Sequence, residues 1–281
     1  MNEEMTVQNT APNMPTMQGG VMAHMEKINQ GTIAIEASRA IAEAQGKLVI
    51  AKRFPRDEVQ SYAKAMEACQ RPTMAAKAFY SFPRGGQTVE GPTIRFAEEL
   101  ARCWGNIDYG IKELSQDDGK SEMQAYAWDL ETNAQSVQNF TNPHQREQGK
   151  KMVTLTSQRD IYENNANMAT RRLRSRILAI LPAWFVEDAI AECKRTLSGQ
   201  NDTPLIDRVK KMVVKFAKLG VTQEMIEKRL KRKIDTMTSD DFVEYVGIYN
   251  AVKGGESKIA DWFDAQKEAN ELTEALKGEN N

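Results

Sequence analysis

From Ala78 to Thr141 this 281-residue chain takes on strand composition, with clear alternation in Ile107 to Leu114 and in Glu122 to Leu130, while the segments on both sides keep helical spacing. One helical stretch, Gly91 to Gly105, interrupts that window. Consecutive strands joined by turn residues pair antiparallel, so the strands form hairpins with helices gathered before and after them. The expected class is α+β. A short antiparallel sheet, one hairpin plus a meander, packs with helices that include a long arginine-rich one, and a small helical module follows.

Residues 1 to about 25 are rich in Met, Asn, Gln, Thr and Pro without periodicity and read as a disordered tail. Thr32 to about Lys52 repeats apolar residues at helical spacing (Ile33, Ala37, Ile41, Leu48), and a second helix from Pro55 ends at Gln70-Arg71-Pro72. Ala78 to Phe82 has strand composition. Pro83-Arg84-Gly85-Gly86 is turn chemistry, and Gln87 to Val89 returns as the partner strand. Pro92 suits the first position of the next helix, and Gly105 suits its stop. Ile107 to Leu114, Glu122 to Leu130 and Ala134 to Thr141 form the meander. A polar, basic loop covers Asn142 to Ser157. Ser157 and Asp160 then resemble a capping box for a helix reaching Leu181, where Pro182 breaks it. The polar Ser198 to Thr203 predicts a domain boundary. The expected organisation is a tail (1–25), an α+β core (26–197), a linker (198–204), a helical module (205–265) and a polar tail (266–281).

Several function classes lose support. Cys69, Cys103 and Cys193 form no CxxC pair, and His24 and His144 belong to no metal motif, so reduced thiols and no zinc site are expected. No apolar run is long enough to span a bilayer, and the first residues lack a signal-peptide core, which points to a cytoplasmic protein. The phosphate-binding GxxxxGK[ST] motif of ATPases is missing. Glu90, Asp108, Asp129 and Glu131 lie around the meander, but no E-x-K follows on a strand, so a metal-dependent nuclease is only an alternative. A non-enzymatic adaptor acting through the C-terminal module is another.

The net charge of −1 argues against a nucleic-acid binder if charge is evenly spread, and it is not. From His144 to Arg176 there are eight basic residues (Arg146, Lys150, Lys151, Arg159, Arg171, Arg172, Arg174, Arg176) and three acidic ones. On the long helix Tyr162, Ala166, Leu173, Ile177 and Ile180 share a face, which leaves the four late arginines to the remaining arc and to solvent. Guanidinium groups suit phosphate because their planar fork donates paired hydrogen bonds. Acids nearby are too few to pair them all. Phe79, Tyr80 and Phe82 lie between Lys77 and Arg84, where rings could stack bases. Tyr80 is the outward candidate if Phe79 and Ser81 point inward.

This order of elements resembles the RecT/Redβ-type single-strand annealing proteins of bacteriophage recombination. The likeness rests on Tyr80-Ser-Phe-Pro83 in the hairpin, the helix GPTIRFAEELARCWG (91 to 105), and Arg171-Arg-Leu173 followed by Leu181-Pro182. It covers roughly residues 32 to 263. The hairpin departs from the family in carrying Arg84-Gly85 where Tyr-Gly is more usual. The resemblance implies ATP-independent binding of single-stranded DNA and annealing of complementary strands, with no covalent chemistry and no cofactor, Mg²⁺ use being left open. It implies rings or helical filaments of identical subunits with contacts through the N-terminal helices. A partner exonuclease or a host single-strand-binding protein would be met through the C-terminal module, inside a bacterial host cell.

Overall fold

The computed structural model describes residues 30–85, 87–148, 151–199 and 203–263. The chain divides into two compact units, Met1–Lys47 and Leu48–Asn281. Helix α1 (Gln30–Arg53) crosses that boundary, and every side chain from Ala34 to Glu43 is exposed. The expected N-terminal and C-terminal tails lie outside the described residues.

In the second unit α2 (Glu58–Cys69) starts at Asp57, whose carboxylate accepts from the Gln60 amide and satisfies one of the unpaired N–H groups of the first turn. A short helix, α3 (Pro72–Ala75), leads into the hairpin of β1 (Phe79–Arg84) and β2 (Gln87–Pro92). The strands pair from Phe79↔Pro92 to Arg84↔Gln87, so Pro83, Arg84 and Pro92 belong to strands rather than to a turn or a helix. Pro92 therefore does not open the next helix. Thr93 caps α4 (Ile94–Trp104) by accepting from the Phe96 amide, and Gly105 ends it at φ 81°.

The meander follows as β3 (Ile107–Asp117), β4 (Lys120–Asp129) and β5 (Gln135–Pro143), paired in that order. Ser121, Met123, Ala125, Ala127 and Asp129 of β4 are buried, and the residues between them are only half-covered, as alternation demands. The buried side lies beneath α5 (Gln158–Ile180). The segment expected as a loop is instead a third hairpin, β6 (Gln145–Gln148) with β7 (Lys151–Thr154). Its anchor is His144, buried and hydrogen-bonded to Ser121 Oγ at 2.8 Å, with the His144 carbonyl accepting from the Leu155 amide at 2.7 Å. Ser157 stands at the N-cap of α5 but makes no side-chain capping bond, so the expected capping box is absent there.

After α6 (Ala183–Ser198) come α7 (Leu205–Ala217), α8 (Gln223–Leu230) and α9 (Ser239–Gly254). A capping box starts α9: Thr238 Oγ1 accepts from the Asp241 amide, and the Asp241 carboxylate accepts from the Thr238 amide at 2.7 Å. The boundary expected at 198–204 falls inside the second unit, and these helices share one apolar core with the hairpin and α4–α6. Gly247 of α9 has no side chain, and a Cβ there would meet Ser81 at 3.1 Å and Phe79 at 3.3 Å, so the helix seats directly on β1. Asn250 Nδ2 then donates to the carbonyls of Ala76 (3.0 Å) and Phe79 (2.7 Å). The fold class is α+β with short antiparallel sheets. Among the described residues no helix is long and apolar enough to cross a membrane.

Candidate nucleic-acid interface

Ile161, Asn165, Ala169, Leu173 and Ile177 form the buried row of α5. Tyr162, expected on that face, is 69% exposed instead, near the N-terminal end of the helix. Three of the four late arginines are half-buried, which corrects the expectation of an open guanidinium face. Arg171 alone is exposed, and its Nη2 donates to the carbonyls of Gly255 (2.7 Å) and Gly254 (3.3 Å) at the C-terminal end of α9. A cation there meets carbonyls that no later turn satisfies. Arg172 lies over the Phe140 ring at 4.0 Å and donates to the Met168 carbonyl. Arg174 is only 14% exposed and bonds Glu256 at 2.8 Å. Arg176 is half-buried, and its buried Nε has no partner among the described residues. A count of acids in the sequence misses these fates because carbonyls and rings hold guanidinium groups as carboxylates do.

The same packing assembles a ladder on the outward side of the first hairpin. Phe79 and Ser81 are buried at 1% exposure, so Tyr80 and Phe82 project the other way, as alternation requires. Their rings stack at 5.8 Å between centroids and 25° between planes. The Arg174 guanidinium lies 4.6 Å from the Tyr80 centroid. Tyr80 lies across Gly91, its cross-strand partner, where any Cβ would come within 2.6 Å of the phenol oxygen. Burial pushes the Tyr80 phenol above its ordinary value against the pull of Arg174, so the ring stays neutral at physiological pH. The ladder therefore runs from a cation fixed by Glu256, through a half-buried phenol, to a half-exposed Phe82, with Arg84 exposed at the hairpin end. The Tyr80 ring is taken up by Arg174 and Gly91, so in this row Phe82 presents a ring to a base and Arg84 an exposed cation to phosphate.

The other expected site residues are not members of the ladder. Arg146 and Lys151 project from one face of the third hairpin, beside Gln148 and Val153. Both cations are exposed and have no ion pair among the described residues. Arg159 is exposed in the first turn of α5. Lys150 lies outside the described residues. Lys77 lines a groove with Arg71, Glu67, Glu99 and Arg102, where Arg71 pairs with Glu67 at 2.9 Å and Arg102 with Glu99. Glu256 and Phe140, which hold two of the arginines, carry no signal in the sequence, since each meets its partner only through tertiary packing. Cys69, Cys103 and Cys193 are buried free thiols.

Comparison with protein-family models, with characterised proteins and with solved structures finds no match to this chain.

Proposed function

We propose that this protein binds single-stranded DNA and anneals complementary strands without a nucleotide cofactor, in the manner of the RecT/Redβ-type proteins its sequence resembles. The observation that supports the reading is the Arg174–Tyr80–Phe82 ladder on the side of the first hairpin opposite Phe79 and Ser81. Bases of a single strand are free to leave their neighbours and stack on such rings, each stacked base contributing about 1–3 kcal/mol, whereas bases in a duplex are not. Arg84 at the hairpin end, with Arg146, Lys151 and Arg159, supplies exposed cations for its phosphates. The α5 arginines serve chiefly to build the platform, through the bonds that hold them to Glu256, Phe140 and the end of α9.

Fluorescence anisotropy with a labelled oligonucleotide tests the reading. Binding is expected to prefer single strands to duplex, and log K to fall against log salt with a slope of roughly −0.7 per phosphate neutralised. Mixing complementary strands with the protein should yield duplex with no added ATP. A flat salt response, or equal affinity for a blunt duplex, removes the reading. An absolute ATP requirement removes the annealing half of it.

A further inference from the structure

The densest positive charge in the chain lies beyond α5. From Leu205 to Lys233 the sequence holds ten Lys and Arg side chains and three Asp and Glu, an excess of seven on a chain of net charge −1. The structure sorts these cations into two groups. On the α8 side three are matched: Arg229 bonds Glu244 at 2.7 Å, Lys233 bonds Glu227 at 3.0 Å, and Arg232 bonds Asp241. On one face of α7 they are not. Val209, Met212 and Phe216 turn into the core, so Lys211, Lys215 and Lys218, four and three residues apart, line up on the opposite side with the exposed Val214. At about 1.5 Å of rise per residue the row extends roughly 10 Å. Lys253 of α9 joins it, because its Nζ and that of Lys215 approach the same Tyr249 ring, at 5.9 Å and 6.0 Å from the centroid. Tyr249 is itself held edge-on to Phe216 at 5.5 Å. None of the four lysines has a carboxylate partner among the described residues.

We propose that this lysine face of α7 and α9 is a second binding track, for the sugar–phosphate backbone of a single nucleic-acid strand. Gathering like charges around one ring while the local acids pair elsewhere is unfavourable in the free chain and is relieved by a polyanion. Ammonium groups on flexible stems are point charges that follow a backbone of any sequence. The half-buried Tyr249 and exposed Val214 between them add surface for a sugar or a base edge. The inference rests on the proposed single-strand binding and extends it from the hairpin ladder, which would hold bases, to a separate surface that would hold phosphates.

The test uses the full chain with all four lysines changed (Lys211→Ala, Lys215→Ala, Lys218→Ala, Lys253→Ala) and a milder pair (Lys211→Gln with Lys215→Gln). Anisotropy with a labelled oligonucleotide is read across a salt series. Because these side chains project to solvent, melting temperatures should match the parent. The salt slope should become shallower by about 2.8 in the fourfold variant and about 1.4 in the pair, at about 0.7 for every phosphate no longer neutralised. Phe82→Ala is the control, weakening binding while leaving the slope in place. A parent that binds single strands alongside a fourfold variant with the parent slope overturns this track and leaves the hairpin reading standing. A parent that binds no oligonucleotide overturns both. Loss of poly-glutamate binding in the fourfold variant, with its DNA slope unchanged, would assign the face to an acidic protein segment and likewise overturn the proposal.

Discussion

Phe82 and Arg174 touch the same ring, Tyr80, yet the geometry gives them opposite duties. Phe82 is the outer ring of the stack, half-exposed, with nothing polar depending on it. Its removal is expected to cost about 1–3 kcal/mol of single-strand binding, roughly a 5- to 150-fold loss of affinity, with little change in salt dependence. Arg174 is the inner member, and its charge is already met by Glu256, itself 16% exposed. Arg174→Met keeps most of the volume and strands that carboxylate. Breaking a fully buried pair this way costs about 3–5 kcal/mol and an exposed one under about 1, so this nearly buried pair is expected to cost about 2. For a domain of this size that lowers the melting temperature by roughly 5 °C. The salt slope of DNA binding should barely move, because the missing cation was not available to phosphate. Calorimetric melting and salt-series anisotropy on both variants separate the duties. A steep fall in slope with unchanged melting for Arg174→Met would mean that Arg174 grips the strand after all.

At the scale of elements, the turn between β4 and β5 ties the sheet to the segment before α2. Glu131 accepts from the Arg56 amide at 2.8 Å, from Arg56 Nε at 3.0 Å and from Asn106 Nδ2 at 2.6 Å, while Arg56 also bonds the buried Asp129. Burial alone would raise the Glu131 carboxyl, but the bonds from Asn106 and Arg56 outweigh it and hold the group below its ordinary value. A carboxyl depressed in the folded chain stabilises above its unfolded pKa and loses that contribution as pH falls through the folded one. Glu131→Gln should therefore lower the melting temperature most near neutral pH, with the gap to the parent closing as pH drops below the ordinary glutamate range. A gap independent of pH would show that the Glu131 charge does not matter. The elements that build this turn are legible in the sequence because their signals are local: alternation in β3 and β4, Gly105 at a helix end, Asp117-Asp118-Gly119 in a reversal. The third hairpin is not legible, because Gln145–Gln148 has no apolar alternation to mark a strand and is held by the buried His144. Pro92 misleads for a similar reason. Its preference for a first helical turn is real, but pairing with Phe79 keeps it in the sheet and Thr93 takes the cap. The aromatic half of the candidate site follows from strand period alone, whereas the fate of each arginine depends on which carbonyl or ring the fold carries to it.

For the molecule as a whole, two exposed apolar surfaces bear on assembly. Along α1 the exposed Ala34, Ala37 and Ile41 recur at spacings of three and four, the pattern by which one helix lies along another. Ile41 is 59% exposed, and the adjoining Ile35 reaches 67%. On the second unit Trp184 is 49% exposed with Tyr62 centred 6.0 Å from it, and Phe54 (65%) and Val59 (81%) are further exposed apolar side chains. Exposed apolar side chains of this kind are candidates for contact with another chain. Two different surfaces that fit each other join copies head to tail, and such contacts generate rings or open filaments. The sequence resemblance implies an assembly of this kind, and we propose these residues as its contacts. Ile41→Lys puts a charge in the seam and is expected to shift the protein from oligomer to monomer in sedimentation velocity without lowering its melting temperature, since Ile41 is exposed. Trp184→Lys should do the same from the other side, and mixing the two variants should not restore assembly beyond dimers, because each retains one intact surface. A parent protein that sediments as a monomer at every concentration, with and without oligonucleotide, would leave these apolar surfaces to some other partner and rule out head-to-tail assembly.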